Sequence, residues 1–282
     1  MTQFRQVIDQ HIGQRASDGA GVRLTRVFGG AGLERFDPFL MLDEFGSDDP
    51  DDYIAGFPPH PHRGFETITY MLEGRMRHED HLGNVGLLQS GGVQWMTAAR
   101  GIIHSEMPEQ EQGVMRGFQL WLNLPAKDKL GEAGYRDYDA GEIPRLTSTG
   151  GVSVAVIAGR FDDGKHQQDG AVQRPHTAPQ LFDLQLPAGG HIAPRLADGL
   201  RVLLYVYEGE LTVNGHSIGK GRLARLSEAG AIELGSAAGA RVLLIAGTPL
   251  REPIVQHGPF VMNSREEIEQ ALRDLRDDRL TA

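Results

Sequence analysis

A chain of 282 residues, 40% hydrophobic and 23% charged, carries enough apolar mass for a sizeable core and exceeds the ~100–200 residues of one domain, so two compact units are expected. Its formal net charge of −10 opposes direct, sequence-independent nucleic-acid binding, which depends on Lys and Arg neutralising phosphates, and no stretch approaches the ~20 apolar residues of a membrane span. The sequence has no cysteine, which removes disulfides, thiolate nucleophiles, cysteine-ligated zinc and iron–sulfur clusters together; any metal must rest on histidine and carboxylate. The opening MTQFRQVIDQHIGQR lacks the apolar core of a secretion signal, so the cytoplasm is the expected location, with neither membrane nor nucleic acid as a partner.

In chain order, VRLTRVF (22–28) and FLML (39–42) read as the first strands, and the acidic EFGSDDPDD (44–52) as a solvated loop after them. From Phe65 to Leu124 the runs FETITYML, VGLL, VQWMTA and GFQLWLNL are short, β-prone and separated by glycine-containing turns, the pattern of a meandering antiparallel sheet. The stretch 131–150, rich in charge, Gly and Pro, reads as a linker between an N-terminal barrel (1–130) and a second β-rich block (151–282). TYMLEG (69–74) is echoed by LYVYEG (204–209), and such repetition signals duplicated architecture. The expected fold is all-β: two similar barrels and a short C-terminal helix. That helix is marked by the Ser264/Glu267 capping box and by Ile268, Ala271, Leu272 and Leu275 at helical spacing.

Two pairs carry chemistry: His60-Pro61-His62 in GFPPHPHRGFE and His104-Ser105-Glu106 in RGIIHSEMP. On a strand, i and i+2 share a face, and in a closed barrel that face can be the interior, so both pairs can converge. An isolated H-x-H is usually an exposed or hydrogen-bonded pair. Here polar residues interrupt an apolar neighbourhood twice, and burying them without partners costs ~1–3 kcal/mol each; a shared metal accounts for both. Three neutral imidazoles and a carboxylate suit divalent iron, manganese, nickel, copper or zinc, and a six-coordinate ion would keep two open positions. Gln119, polar among apolar neighbours in GFQLWLNL, faces either the cavity or water. His78, His81, His166, His176, His191, His216 and His257 read as surface or structural residues.

Gly56, His60, His62, Glu66 and Gly74 resemble the first motif of the cupin superfamily, with the leading Gly56 closer than usual, and Gly92, Gly101 and His104 resemble the second. The strings PHPHRGFETITYMLEG, VQWMTAARGIIHSE and EPIVQHGPFVMN resemble the pirin family over nearly the whole chain. That resemblance implies a bicupin with one metal ion, usually iron(II), in the N-terminal barrel, held by His60, His62, His104 and Glu106. Glu66, the carboxylate of the first motif, is then no ligand; its parity with His62 permits a supporting role if no bulge intervenes. The resemblance further implies a dioxygenase of the quercetin 2,3-dioxygenase type, an oxidoreductase taking O2 and a flavonol-like aromatic, with Glu106 also the catalytic proton acceptor. It equally implies a non-catalytic, metal-dependent regulator whose partner is a transcription factor or metabolic enzyme.

The second block lacks the quartet. The 135-residue offset of the repeat sets Arg195 and Ala197 against His60 and His62, and 236–243 contains neither His nor carboxylate, so a structural barrel without metal is expected there.

Overall fold

The structure, a computed structural model, describes residues 3–30 and 34–282. Its strand ladders are antiparallel, and the described residues include one α-helix, Arg265–Arg276, near the C-terminus. The chain divides into two compact units, one made of Gln14–Gly141 with Leu250–Ala282 and the other of Met1–Gly13 with Glu142–Pro249. The internal boundary, Gly141/Glu142, falls within the stretch 131–150, but each terminus joins the unit farther from it along the sequence, unlike the expected 1–130 and 151–282. Physical anchors account for both exchanges. Arg5, wholly buried, donates to the carbonyls of Ser227, Ala197 and Gly230. At the other end, Ile268 and Ala271 of the helix pack with Phe260, Met262, Leu280 and Ile103, while buried Arg63 pairs with Asp274 at 2.7 Å. The stretch read as a linker contains the strand Gly134–Tyr138, paired with Val93–Thr97.

In the unit built on 14–141, a seven-stranded sheet faces a four-stranded one across a shared core. The larger sheet runs in the order Gly134–Tyr138, Val93–Thr97, Phe65–Glu73, Met115–Asn123, Phe39–Ser47, Val22–Gly29, Gln14–Asp18; the smaller runs Phe57–His62, Ile102–Pro108, Arg75–Asp80, Val85–Gln89. Leu24, Phe45, Met71 and Met115 from the first meet Met76 and Leu88 from the second, which makes a jelly-roll barrel. From Phe57 onward the chain crosses repeatedly between the two sheets instead of following the simple meander that the spacing suggests. The expected loop 44–52 also shortens, because Phe39–Ser47 continues as a strand to Ser47 and only then meets the 3-10 turn Pro50–Asp52.

The other unit repeats this plan. Its long sheet has the order Val7–Ile12, Arg222–Leu226, Arg201–Val213, Ala240–Gly247, Gln180–Leu186, Ser153–Ala158, Arg145–Thr147. TYMLEG and LYVYEG both occupy the third strand of their sheets. Val202, Leu204, Val206, Phe182, Leu184, Val242 and Leu244 alternate inward to fill this barrel with hydrocarbon.

Candidate metal centre

The His60/His62 strand is an edge strand, the position that tolerates Pro58, Pro59 and Pro61, which cannot donate to a ladder on both sides. Its neighbour Ile102–Pro108 runs antiparallel, with His104 directly opposite His60 and Ile102 opposite His62. The register shifts between His104 and Glu106, which stands opposite Phe57, so an extra residue on the proline-rich strand is taken up there. Four inward positions of two paired strands thus supply the predicted residues.

One ring nitrogen from each of His60, His62 and His104 can be chosen so that all three lie within 4.8 Å of one another, and the ring centroids are 4.3–5.0 Å apart. His62 is 3% and His104 1% exposed. His60 Nδ1 sits 2.8 Å from the Pro58 carbonyl; a carbonyl only accepts, so Nδ1 is the donor and Nε2 is the ring nitrogen left for other partners. His62 Nδ1 and His104 Nε2 are buried with no hydrogen-bond partner, a costly state for polar atoms that a cation among them would relieve. Burial first, then the facing His60, holds His62 well below the ordinary imidazole range, partly opposed by the Pro259 carbonyl. Burial, followed by His62, His60 and His78, does the same for His104. Both rings are neutral at physiological pH, the form that ligates metal.

Glu106 is 1% exposed and stands outside the trio of closely spaced ligand atoms. Its carboxylate accepts from Gln119 Nε2 at 3.0 and 3.2 Å and from Thr69 Oγ1 at 3.2 Å. Gln119 Oε1 in turn accepts from Trp121 Nε1 at 3.1 Å, so the amide is oriented and cannot flip without losing both contacts. Of its two sequence readings, the cavity is the one realised. Glu66 takes no part: the chain turns a corner at Gly64 (φ +91°), where a Cβ would strike the Val261 carbonyl. Phe65, not Glu66, emerges on the site face, packed on His62 and Trp121. Glu66 points through the opposite face of its sheet and accepts from Thr97 Oγ1 at 2.6 Å. The parity argument fails because His62 and Glu66 belong to two different strands.

A cavity of about 770 Å³ opens on this cluster, walled by Phe57, Trp121, Met41 and Phe45 and reaching His60, His62 and Gln119. Its rim carries the bidentate ion pair of Arg26 with buried Asp43 (2.9 and 2.8 Å). His78, read from sequence as surface or structural, is wholly buried and touches His104, Nδ1 to Nδ1 at 3.4 Å. The alternation in RMRHED, which buries Met76 and exposes Arg75, Arg77 and Glu79, was the available signal, since parity sets His78 beside Met76.

In the other unit the strand pairing equivalent to His60/His104 is that of His191 with Gly235 and Ile192 with Leu234. The alignment is thus 191–192 rather than the 195 and 197 of the simple offset. Inward-facing Ile192 and Leu234 belong to the apolar core, and His191 is exposed.

Comparison with known proteins agrees with this architecture. The family model described as Pirin matches residues 21–122, and that of the Pirin C-terminal cupin domain matches residues 181–281. A Pseudomonas aeruginosa protein that carries the provisional name quercetin 2,3-dioxygenase is 72% identical over 280 residues, covering 98% of both chains. A crystal structure titled quercetin 2,3-dioxygenase from Acinetobacter baumannii superposes with a TM-score of 0.91 at 30% identity, over 99% of each chain. A bacterial pirin from Escherichia coli, solved in complex with nickel(II), shares the fold with a TM-score of 0.67 at 20% identity, over 86% of this chain and 98% of that one.

Proposed function

The chain belongs to the pirin family, and from that premise we propose that it is a metal-dependent dioxygenase that opens the central ring of flavonols such as quercetin with O2. The observation that carries this reading is the aromatic-walled cavity of about 770 Å³ that reaches His60 and His62, two of the three clustered histidines. Its size lies within the ~300–1,000 Å³ of small-molecule sites, and Phe57 and Trp121 offer flat apolar surface to a flat substrate.

His60, His62 and His104 would hold one divalent ion, with Glu106 as the fourth ligand. Iron(II) heads the metals suited to this donor set. When bound, the ion supplies Lewis acidity to the flavonol 3-hydroxyl and a place for dioxygen. The protein does the rest. The cavity walls exclude water and hold the rings in one plane, and Gln119, on the cavity wall and hydrogen-bonded to both Glu106 oxygens, sets the direction in which that carboxylate faces. Glu106 accepts the 3-hydroxyl proton, a general-base role worth ~10²–10⁴-fold. No helix among the described residues is long and apolar enough to cross a membrane.

Anaerobic purification with metal analysis, followed by oxygen-dependent quercetin consumption on the same sample, tests the proposal. About one iron per chain and ring-opened product are expected. Stoichiometric iron with no oxygen-dependent loss of quercetin would overturn the enzyme reading for flavonols and leave the metal-dependent regulator in its place.

A further inference from the structure

The strand Arg75–Asp80 lies against Ile102–Pro108 on the side away from the H-x-H strand, with His78 opposite Glu106 and Asp80 opposite His104. His78 spans the space between them. Its Nε2 is 3.3 Å from Asp80 Oδ2 and its Nδ1 is 3.4 Å from His104 Nδ1; the His78 and Asp80 side chains are both fully buried. A carboxylate only accepts, so His78 Nε2 carries its hydrogen and a neutral His78 then has a bare Nδ1. That nitrogen can only accept, which assigns the hydrogen to His104 Nδ1 and leaves His104 Nε2 bare. His104 Nε2 is the buried atom without a partner. The reverse assignment would turn a lone pair of His78 toward the Asp80 carboxylate and place a hydrogen on His104 Nε2, where no ion could bind.

The surroundings hold this chain of contacts in one arrangement. Asp80 Oδ1 accepts from the backbone of Leu82 (2.9 Å) and Asn84 (3.1 Å), and Oδ2 from Asn84 Nδ2 (2.8 Å). Tyr135 stacks on His78 at 4.1 Å and 15°, and its hydroxyl is tied to Asp137, which also accepts from Gln94. Room for that hydroxyl exists because the residue paired with His78 on the next strand is Gly86; a Cβ there would fall on the Tyr135 oxygen and the Asp137 carboxylate.

We propose that Asp80 and His78 are positioning residues that fix His104 as the Nδ1–H tautomer and so prepare Nε2 to ligate the metal. Such outer partners of ligating histidines typically contribute 10–100-fold in metal affinity. The proposal rests on the metal-centre reading above, and its test separates the two.

Chelator-treated full-length protein, 15N-labelled at histidine, would report the His104 tautomer by NMR with no metal present, and cobalt(II) would then be titrated against a competing chelator. Wild type is expected to show His104 protonated at Nδ1. Asp80→Asn offers an amide donor to His78 Nε2 and should invert the chain, moving the His104 hydrogen to Nε2. His78→Phe keeps the ring stacked on Tyr135 but removes the acceptor, and should weaken cobalt(II) binding about 10–100-fold and shift its visible spectrum. His78→Asn puts a carbonyl oxygen near the lost Nδ1 and should recover part of the affinity. An unchanged tautomer in Asp80→Asn, or cobalt(II) affinity and spectrum unchanged in His78→Phe, overturns the relay. Should Asp80→Asn fail to fold through loss of its loop contacts, the two His78 variants decide, since they leave Asp80 intact. Wild type that binds no cobalt(II) overturns the metal centre, while the tautomer in metal-free protein still decides whether Asp80 and His78 set it.

Discussion

The large sheets of the two units share the order of six consecutive strands and the placement of the repeated Glu-Gly strand, yet their barrels hold opposite contents. In one, the paired positions 60 and 104 are histidines beside a cavity. In the other, the equivalent pairing buries Ile192 and Leu234 within continuous hydrocarbon. The comparison shows that the fold needs no polar interior. The histidine barrel gives up apolar contact at one end, and at 0.8 kcal/mol or so per buried methylene the filled barrel is the better source of stability, while the open one keeps room for a ligand.

The sharpest way to break that division is His104→Ala. Metal should be lost from the barrel interiors, since the core described for the filled barrel is hydrocarbon, and quercetin turnover should vanish with it. Circular dichroism should show the fold largely kept. The melting point should fall modestly, because metal bound only to the native state adds about 2.7 kcal/mol at a hundredfold excess over its Kd. Metal analysis giving one equivalent in the variant would remove His104 from the ligand set, and two equivalents in washed wild type would place chemistry in the barrel where none is expected.

Glu106→Gln separates coordination from proton transfer within the open barrel. An amide oxygen can still approach the metal but does not take up the flavonol proton at neutral pH, so kcat should fall ~10²–10⁴-fold while metal retention weakens less. Turnover equal to wild type at equal metal content would end the proton-acceptor role.

Side-chain truncation measures the contrast directly. Leu204, wholly buried in the filled barrel, should cost about 2–5 kcal/mol on change to Ala. Phe57→Ala, at a partly exposed position on the cavity wall, should cost less in urea unfolding and raise the KM for quercetin. Equal losses of stability would mean that the cavity wall is packed as tightly as the filled core.

A smaller effect belongs to Lys129, buried in the open barrel's unit, where its ammonium donates to the carbonyls of Gly64 and Val261 and to Asn123 Oδ1 at 2.6–3.0 Å. Burial lowers its pKa to about 8, against the pull of Glu252 and Glu267. The unfolded chain, titrating near 10.4, then binds more protons than the native state between those values, so this contribution to stability rises with pH from about 8 to 10.4 and is lost as pH falls back through that window. Wild type should gain on the order of 1 kcal/mol per pH unit there relative to Lys129→Met. Parallel stability curves for the two proteins would show that the three acceptors keep the ammonium charged throughout.

Chain order alone determined much of this protein. Absence of cysteine confined any metal to His and carboxylate, the i, i+2 spacing of His60/His62 and His104/Glu106 paired them on strand faces, and the Glu-Gly repeat announced a duplicated sheet. These features are local, and local periodicity survives without knowledge of what packs where. Tertiary structure decided what depends on distant partners. Glu66 left the site because a glycine corner separates it from His62, and His78 entered it because its strand pairs with that of His104, 26 positions away. The termini changed units because Arg5 and Arg63, single cations in any window of sequence, find their carbonyl and carboxylate partners only after the chain has closed on itself. Strand pairing and burial are long-range events, and no spacing within one segment records them.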